Sequence, residues 1–274
     1  MSDEANLDAY LKRINYAGSI APTLETLEMV HRLHPAVIPF ENLNPLMELP
    51  VRLQLSDIEQ KLIFEKRGGY CFEHNSLFKA VLESMDFEVT PLAAGVLWGH
   101  EEGYEPTLNH MALLVDVGGV PYLADVGFGG QGMTAPLRLK ADIEQETPNE
   151  RYRLLGGYPK WRVESEIAGQ WKPLFEFTTS PHSFDEYVEM NDRAMASFRD
   201  FLMAARVDGG KRYALLNGRL NTHENGETTT RQLQSVIEMR DVLTNIFGIQ
   251  LPNSDRLDPA LEKALRPTLL ANAS

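Results

Sequence analysis

Apolar positions recur at helical spacing through the first third of the chain. Leu7, Tyr10, Leu11 and Ile14 fall on one face and predict a helix opened by Asn6. Residues 23–33 predict a second helix, begun after Pro22 and closed before Pro35. Residues 56–66 predict a third, with Ser56 as N-cap and Glu59 completing a capping box. A fourth runs from Cys71 to about Met85, with Leu77, Phe78, Val81, Leu82 and Met85 on one side.

From about residue 87 the period shortens to that of strands. Residues 110–117 and 120–126 flank Gly118-Gly119, a two-residue hairpin signal. Further strands are expected over 151–155, 161–167 and 171–178, rich in β-branched and aromatic residues. The last third is mixed. Residues 197–206 fit helix or strand. Residues 212–220 and 227–233 suggest a hairpin around His223-Glu224-Asn225-Gly226. Residues 241–247 suggest a short helix stopped by Gly248, and the tail from Pro259 is expected to be helical and frayed. The expected organisation is α+β: a helical bundle over 1–86, an antiparallel β-barrel or sandwich over 87–190 and an α/β unit over 191–274.

Hydrophobic residues make up 43% of the 274, enough for a sizeable core. The formal charge of −13 argues against nucleic acid and against an anionic membrane surface, both of which need a basic footprint. No apolar run has the length of a membrane span, and the first residues do not read as a targeting peptide, so a cytoplasmic location is expected. One cysteine excludes an intrachain disulfide.

That cysteine stands in Arg67-Gly68-Gly69-Tyr70-Cys71-Phe72-Glu73-His74-Asn75. The paired glycines permit a turn that other residues resist. Cys71 then falls at a helix start, where free N–H groups and the helix dipole favour a thiolate nucleophile. The competing reading is a small core hydrophobe. A nucleophile needs a base, and there are seven histidines. Surface or capping roles suffice for His31 and His34 beside Pro35, and no third ligand suggests a metal there. His74 is assigned to solvent or packing. His100, His182 and His223 are expected in polar loops.

His110 is different. If Gly118-Gly119 is a two-residue loop, Val117 pairs with Val120, and Ala112 faces Asp125. Strand side chains alternate, so His110 and Asp125 share a face one diagonal step apart, within reach of an imidazole–carboxylate bond. A three-residue loop would separate them. Otherwise His110 is a strand-end histidine and Asp125 a turn residue. Cys71, His110 and Asp125 together supply nucleophile, base and orienting acid for covalent acyl transfer. A papain-like hydrolase uses the same parts, so the set alone does not choose the acceptor.

At these residues the sequence resembles the arylamine N-acetyltransferases. The resemblance rests on Arg13-Ile14-Asn15-Tyr16, Ile38-Pro39-Phe40-Glu41-Asn42-Leu43, Arg67 through Phe72, Asn75 through Phe78, His110, Asp125-Val126-Gly127-Phe128-Gly129 and Phe247-Gly248-Ile249, spread over essentially the whole chain. It implies a helical bundle, a β-barrel and an α/β lid around a cysteine-protease-like catalytic core. It implies a Cys71–His110–Asp125 triad and no tightly bound cofactor or metal, with acetyl-CoA as co-substrate and a small aromatic amine or hydrazine as acceptor. Phe40 and Phe128 would line the acceptor pocket, and Gly127, Gly129 and Gly130 would lie near the donor. Glu41 and Arg67 would form a buried structural ion pair. Gly95 stands where many members carry Arg, and residues 191–206 match the family poorly. Three other readings stay open: a cysteine amidase or transglutaminase-like enzyme, a macrocycle-closing amide synthase, and a non-enzymatic ligand-binding relative.

Overall fold

The computed structural model describes residues 4–266. The first helix, Leu7–Arg13, is capped by Asn6, whose side chain accepts from the Ala9 N–H. The second, Leu24–Val37, does not stop before Pro35 as the sequence predicts; the proline lies inside it. Proline removes one donor, but His34 is buried in the core and its carbonyl accepts the capping Ile38 N–H at 2.8 Å, so the last turn persists. The third helix also departs from expectation. It starts one residue earlier, as Leu55–Glu59, and passes into a π-helical turn, Gln60–Phe64. Ser56 caps nothing there. Glu59 accepts instead from the Asn6 N–H at 2.6 Å, tying this helix to the start of the first.

The cysteine helix, Cys71–Glu83, turns Leu77, Phe78, Val81 and Leu82 into the core. It packs on strands Glu88–Val96 and His110–Val117. These belong to an eight-stranded antiparallel sheet. Its order is Leu137–Arg138, Val120–Ala124, His110–Val117, Glu88–Val96, Gln170–Thr178, Lys160–Ile167, Arg151–Gly157, Glu144–Glu146. The sheet curls until its two edge strands nearly meet. Gln145 spans the gap with its side chain, accepting from the Arg138 N–H at 2.8 Å and donating to the Arg138 carbonyl at 3.0 Å. A side-chain amide thus replaces the missing backbone ladder and nearly closes a barrel.

A second, five-stranded sheet has the order Phe40–Glu41, Met203–Asp208, Lys211–Leu216, Arg219–Glu224, Glu227–Gln232. The ambiguous stretch 197–206 resolves into the end of helix Phe184–Ser197 and the start of strand Met203–Asp208. The expected single hairpin over 212–233 is two, because Asn217, at φ 52, turns the chain a second time. His223 therefore lies in a strand. The helix near 241 begins at Val236 and ends in a π-helical turn, Val242–Ile246, before Gly248 at φ 73. The last helix is Leu257–Leu265; the expected fraying beyond residue 266 lies outside the described residues. Among the described residues no helix is long and apolar enough to cross a membrane.

Two links converge on the cysteine. Phe40 pairs with Ala205 in the five-stranded sheet. It also bridges in parallel to Gly69, two residues before Cys71.

Candidate active site

The Gly68-Gly69 turn is compelled by crowding. A Cβ on Gly68 would stand 1.9 Å from the Pro39 carbonyl oxygen, and one on Gly69 2.7 Å from a Glu73 carboxylate oxygen. The turn is pinned to the neighbouring segment by the Glu41 N–H donating to Gly69 O at 2.7 Å. Below it lie Glu41 with Arg67 at 2.8 Å and Glu73 with Lys61 at 2.7 Å; Lys61 also stands 3.9 Å from Glu41. All of these side chains are buried, so the charges balance within the cluster. Glu73 accepts the Tyr70 N–H at 3.1 Å, satisfying one orphan donor of the helix start.

Cys71 is buried at that start, its sulfur 3.9 Å from the Asn109 carbonyl. The hairpin register is the one inferred from the two-residue loop: Val117 pairs with Val120 and Leu113 with Ala124. Asp125 follows the strand end, and its Oδ2 accepts from His110 Nε2 at 2.7 Å. Nε2 is thus committed to Asp125 and Nδ1 is not, and the Cys71 sulfur is near enough to act on the ring electrostatically. The structure therefore brings the three side chains named from the sequence together.

The electrostatics follow. Burial opposes a charge on His110, but the Asp125 carboxylate, its hydrogen bond and the Cys71 sulfur outweigh it and push the imidazole pKa up to about 10. Burial would raise the Asp125 carboxyl; His110, Asn75 and the Gly127 N–H hold it below the usual carboxylate range. Asp125 Oδ1 accepts from Asn75 Nδ2 at 2.9 Å and from the Gly127 N–H at 2.8 Å. Asn75 Nδ2 also donates to Met111 O, and Asn75 Oδ1 accepts the Val126 N–H, so this one amide stitches the helix to the first strand of the hairpin and to the segment that follows the second.

Gly127 has a steric reason as well. A Cβ there would lie 2.8 Å from Cys71 Cα. Phe128 stands edge-on to the His110 ring at 5.3 Å between centroids, and Phe175 packs on the same imidazole at 5.1 Å. Phe40 lies on the other side, against Phe198 at 6.1 Å and parallel to the His74 ring. Gly129, at φ 93, passes Phe40 so closely that a Cβ would be 3.4 Å from its ring; Gly130 faces Ala214.

Sequence reasoning missed a second histidine cluster behind the site. His31, His34 and His74 are fully buried, against the surface or capping roles expected of His31 and His34; for His74, burial selects packing over solvent. His74 Nε2 meets the carbonyls of Pro39 and Gly69 at 3.1 and 3.0 Å, so it carries a proton. Its Nδ1 then accepts from His34 Nε2 at 2.8 Å, and His34 Nδ1 accepts from the Tyr10 hydroxyl at 2.8 Å. His31 Nε2 accepts the Asp125 N–H at 3.2 Å. Burial drives the His34 pKa well down and those of His31 and His74 to about 4. Among the described residues no group of three or more His, Cys, Asp or Glu is placed to hold a metal. Phe175 and Phe198 were also missed, since single aromatics in strand or helix patterns carry no signal of what they face.

A family model described as N-acetyltransferase matches residues 23–256. An arylamine N-acetyltransferase of Mycolicibacterium smegmatis is 38% identical over 90% of this chain and 92% of its own length. The solved structure of the Mycobacterium marinum arylamine N-acetyltransferase superposes with a TM-score of 0.92 at 35% identity, covering 95% of this chain and 100% of that one. The same mycobacterial protein in complex with CoA gives a TM-score of 0.89 at 35% identity, covering 94% and 99%.

Proposed function

The chain belongs to the arylamine N-acetyltransferase family, and from that premise we propose that it moves an acetyl group from acetyl-CoA to the nitrogen of an arylamine or arylhydrazine through an acetyl-cysteine intermediate. The observation that carries this reading is the buried grouping of Cys71, at a helix start, with His110 bonded to Asp125 at 2.7 Å.

In the first half-reaction the Cys71 thiolate attacks the thioester carbonyl and a carbon–sulfur bond forms. The Cys71 backbone N–H at the helix start donates to the oxyanion. The intermediate expels CoA as a thiolate, which takes the proton held by His110. In the second, the acceptor amine attacks the acetyl-cysteine. His110, now neutral, takes the amine proton as the carbon–sulfur bond breaks, and the ion pair is restored. Asp125 fixes the ring so that one nitrogen serves the sulfur throughout. Phe40 and Phe128 give a flat apolar slot that favours an aromatic amine over water. Gly127, Gly129 and Gly130 bring backbone rather than side chains to the donor. Residues 1–86, 87–190 and 191–274 then divide the labour: nucleophile, base with acid, and cover.

Intact-mass analysis after acetyl-CoA treatment tests the step. A gain of one acetyl group in the wild type and none in Cys71→Ser supports it; equal labelling of both sinks it. CoA release that does not depend on an added arylamine would favour the amidase reading instead.

A further inference from the structure

Arg212, on strand Lys211–Leu216 of the five-stranded sheet, is 4% exposed. Its guanidinium grips the Glu150 carboxylate in a side-on fork: Nε donates to Oε1 at 2.6 Å and Nη2 to Oε2. Glu150 immediately precedes barrel strand Arg151–Gly157. The remaining donors turn to the loop after Asp125: Nη1 to Gly130 O at 3.3 Å and Nη2 to Gly132 O at 3.0 Å. Tyr152, fully buried, reaches Gln131 O at 3.4 Å and Gly132 O at 3.2 Å. Three consecutive loop carbonyls, at residues 130, 131 and 132, are thus held by a guanidinium from the five-stranded sheet and a phenol from the eight-stranded one.

Other hydrogen bonds to this loop are few among the described residues. Its own backbone bond is the Gly132 N–H to Gly129 O, a single turn, and Gly129 and Gly130 impose little stiffness. Yet this loop carries Phe128, whose ring meets His110 and Phe175. A fork-shaped pair restrains two directions at once, which an ammonium cannot do.

We propose that Arg212 and Glu150 are positioning residues that set acceptor specificity, by clamping the 129–132 loop so that Phe128 stands at a fixed depth over His110. The role of Phe128 as a slot wall rests on the acyl-transfer reading above; the clamp itself rests on the bonds just described. Loosening the clamp widens the slot and weakens the hold on a flat ring, while the sulfur, imidazole and carboxylate keep their own bonds.

The test is equilibrium binding of 4-chloroaniline by calorimetry, with acetyl-enzyme formation from acetyl-CoA followed separately by rapid quench and mass. Arg212→Lys and Glu150→Gln are each expected to weaken 4-chloroaniline binding about 10-fold, the scale of a misfitted apolar slot. At saturating acetyl-CoA the rate of acetyl-enzyme formation should stay within about 3-fold of the wild type, because Cys71, His110 and Asp125 keep their places; any loosening of Gly129 and Gly130 about the donor changes only the acetyl-CoA concentration needed. In a Phe128→Leu background the same substitutions should add almost nothing, because the clamp acts through that ring. Two variants on opposite sides of the pair guard against one failing to fold, and melting curves identify it. Unchanged binding in a folded variant overturns the clamp, as does equal weakening in the Phe128→Leu background, equal loss of both readouts, or no binding by the wild type. A wild type that binds 4-chloroaniline through an intact clamp but never takes an acetyl group sinks the reaction instead and leaves the clamp standing.

Discussion

Two histidine sites lie near the start of the cysteine helix, and burial acts on both in the same direction with opposite results. His110 is buried beside a carboxylate and a sulfur, and is charged. His34 and His74 are equally buried beside each other, a phenol and two carbonyls, and are neutral. Desolvation alone neutralises an imidazole; a facing anion reverses that outcome. The charged site offers chemistry, whereas the neutral one holds the backbone on which the nucleophile stands, through Gly69 O and Pro39 O.

The sharpest way to break this contrast is to remove the anion. Asp125 Oδ1 already receives two N–H donors, from Asn75 and Gly127. In Asp125→Asn the amide oxygen must stay there, so the amide NH2 faces His110 Nε2. That forces the ring proton onto the nitrogen facing the sulfur and removes the charge that keeps the ring protonated. We expect kcat/KM for arylamine acetylation to fall about 10^4-fold, as for an orienting carboxylate in comparable triads. A fall of less than about 10-fold would show that the two histidine sites do not differ in kind.

Cutting the neutral chain should have the reverse profile. His34→Ala strands the Tyr10 hydroxyl and His74 Nδ1 and opens a cavity, at a cost of about 3–4 kcal/mol. Activity per folded molecule should stay within about 3-fold. Urea unfolding and kcat/KM measured on the same preparation decide it: a folded variant that is stable but inactive would refute a purely supporting role.

The contrast also has a pH signature. The folded-state pKa of His110 is raised, so its stabilising contribution is complete below about 6.5 and is lost as pH rises towards about 10. For His31 and His74 the folded-state value is lowered to about 4, so between about 4 and 6.5 the unfolded chain binds more protons and stability rises with pH. Each group adds up to about 1.4 kcal/mol per pH unit within its window. Urea midpoints taken from pH 4.5 to 9.5 should peak near 6.5, and His110→Gln should flatten the alkaline limb while sparing the acid one. A His110→Gln variant with the alkaline limb intact would remove the ion pair from the account.

How much of this was legible follows the same divide. The charged site could be read because one turn fixes one register: Gly118-Gly119 sets Val117 opposite Val120, and alternation then carries His110 to Asp125. Neighbours within a hairpin are a matter of counting. The neutral chain could not be read. Tyr10, His34 and His74 come from three helices, and no local rule sets how helices approach. Pro35 also misdirected the reading, since a helix ended before it would have left His34 at a solvent-facing boundary. The Gln145 closure and the Arg212–Glu150 pair escaped for the same reason, being contacts between elements far apart in the chain. The Ser56 cap failed differently: its partner Glu59 was claimed by Asn6 from outside the helix.

The smallest effect tests the far end of the neutral chain. His74 Nε2 faces two carbonyls and must donate, which makes its Nδ1 an acceptor, His34 Nε2 a donor and His34 Nδ1 an acceptor. The Tyr10 hydroxyl is then the donor at the far end, consistent with a burial that raises its pKa and keeps it protonated. Tyr10→Phe preserves the ring and its packing but leaves the His34 Nδ1 lone pair buried without a donor, at a cost of about 1–2 kcal/mol. kcat/KM should remain within about 2-fold, because the Gly69 and Pro39 contacts are untouched. If stability does not change, the Tyr10–His34 bond does not support the fold. If activity falls while stability holds, the chain does more than support the nucleophile, and the line between the two histidine sites must be redrawn.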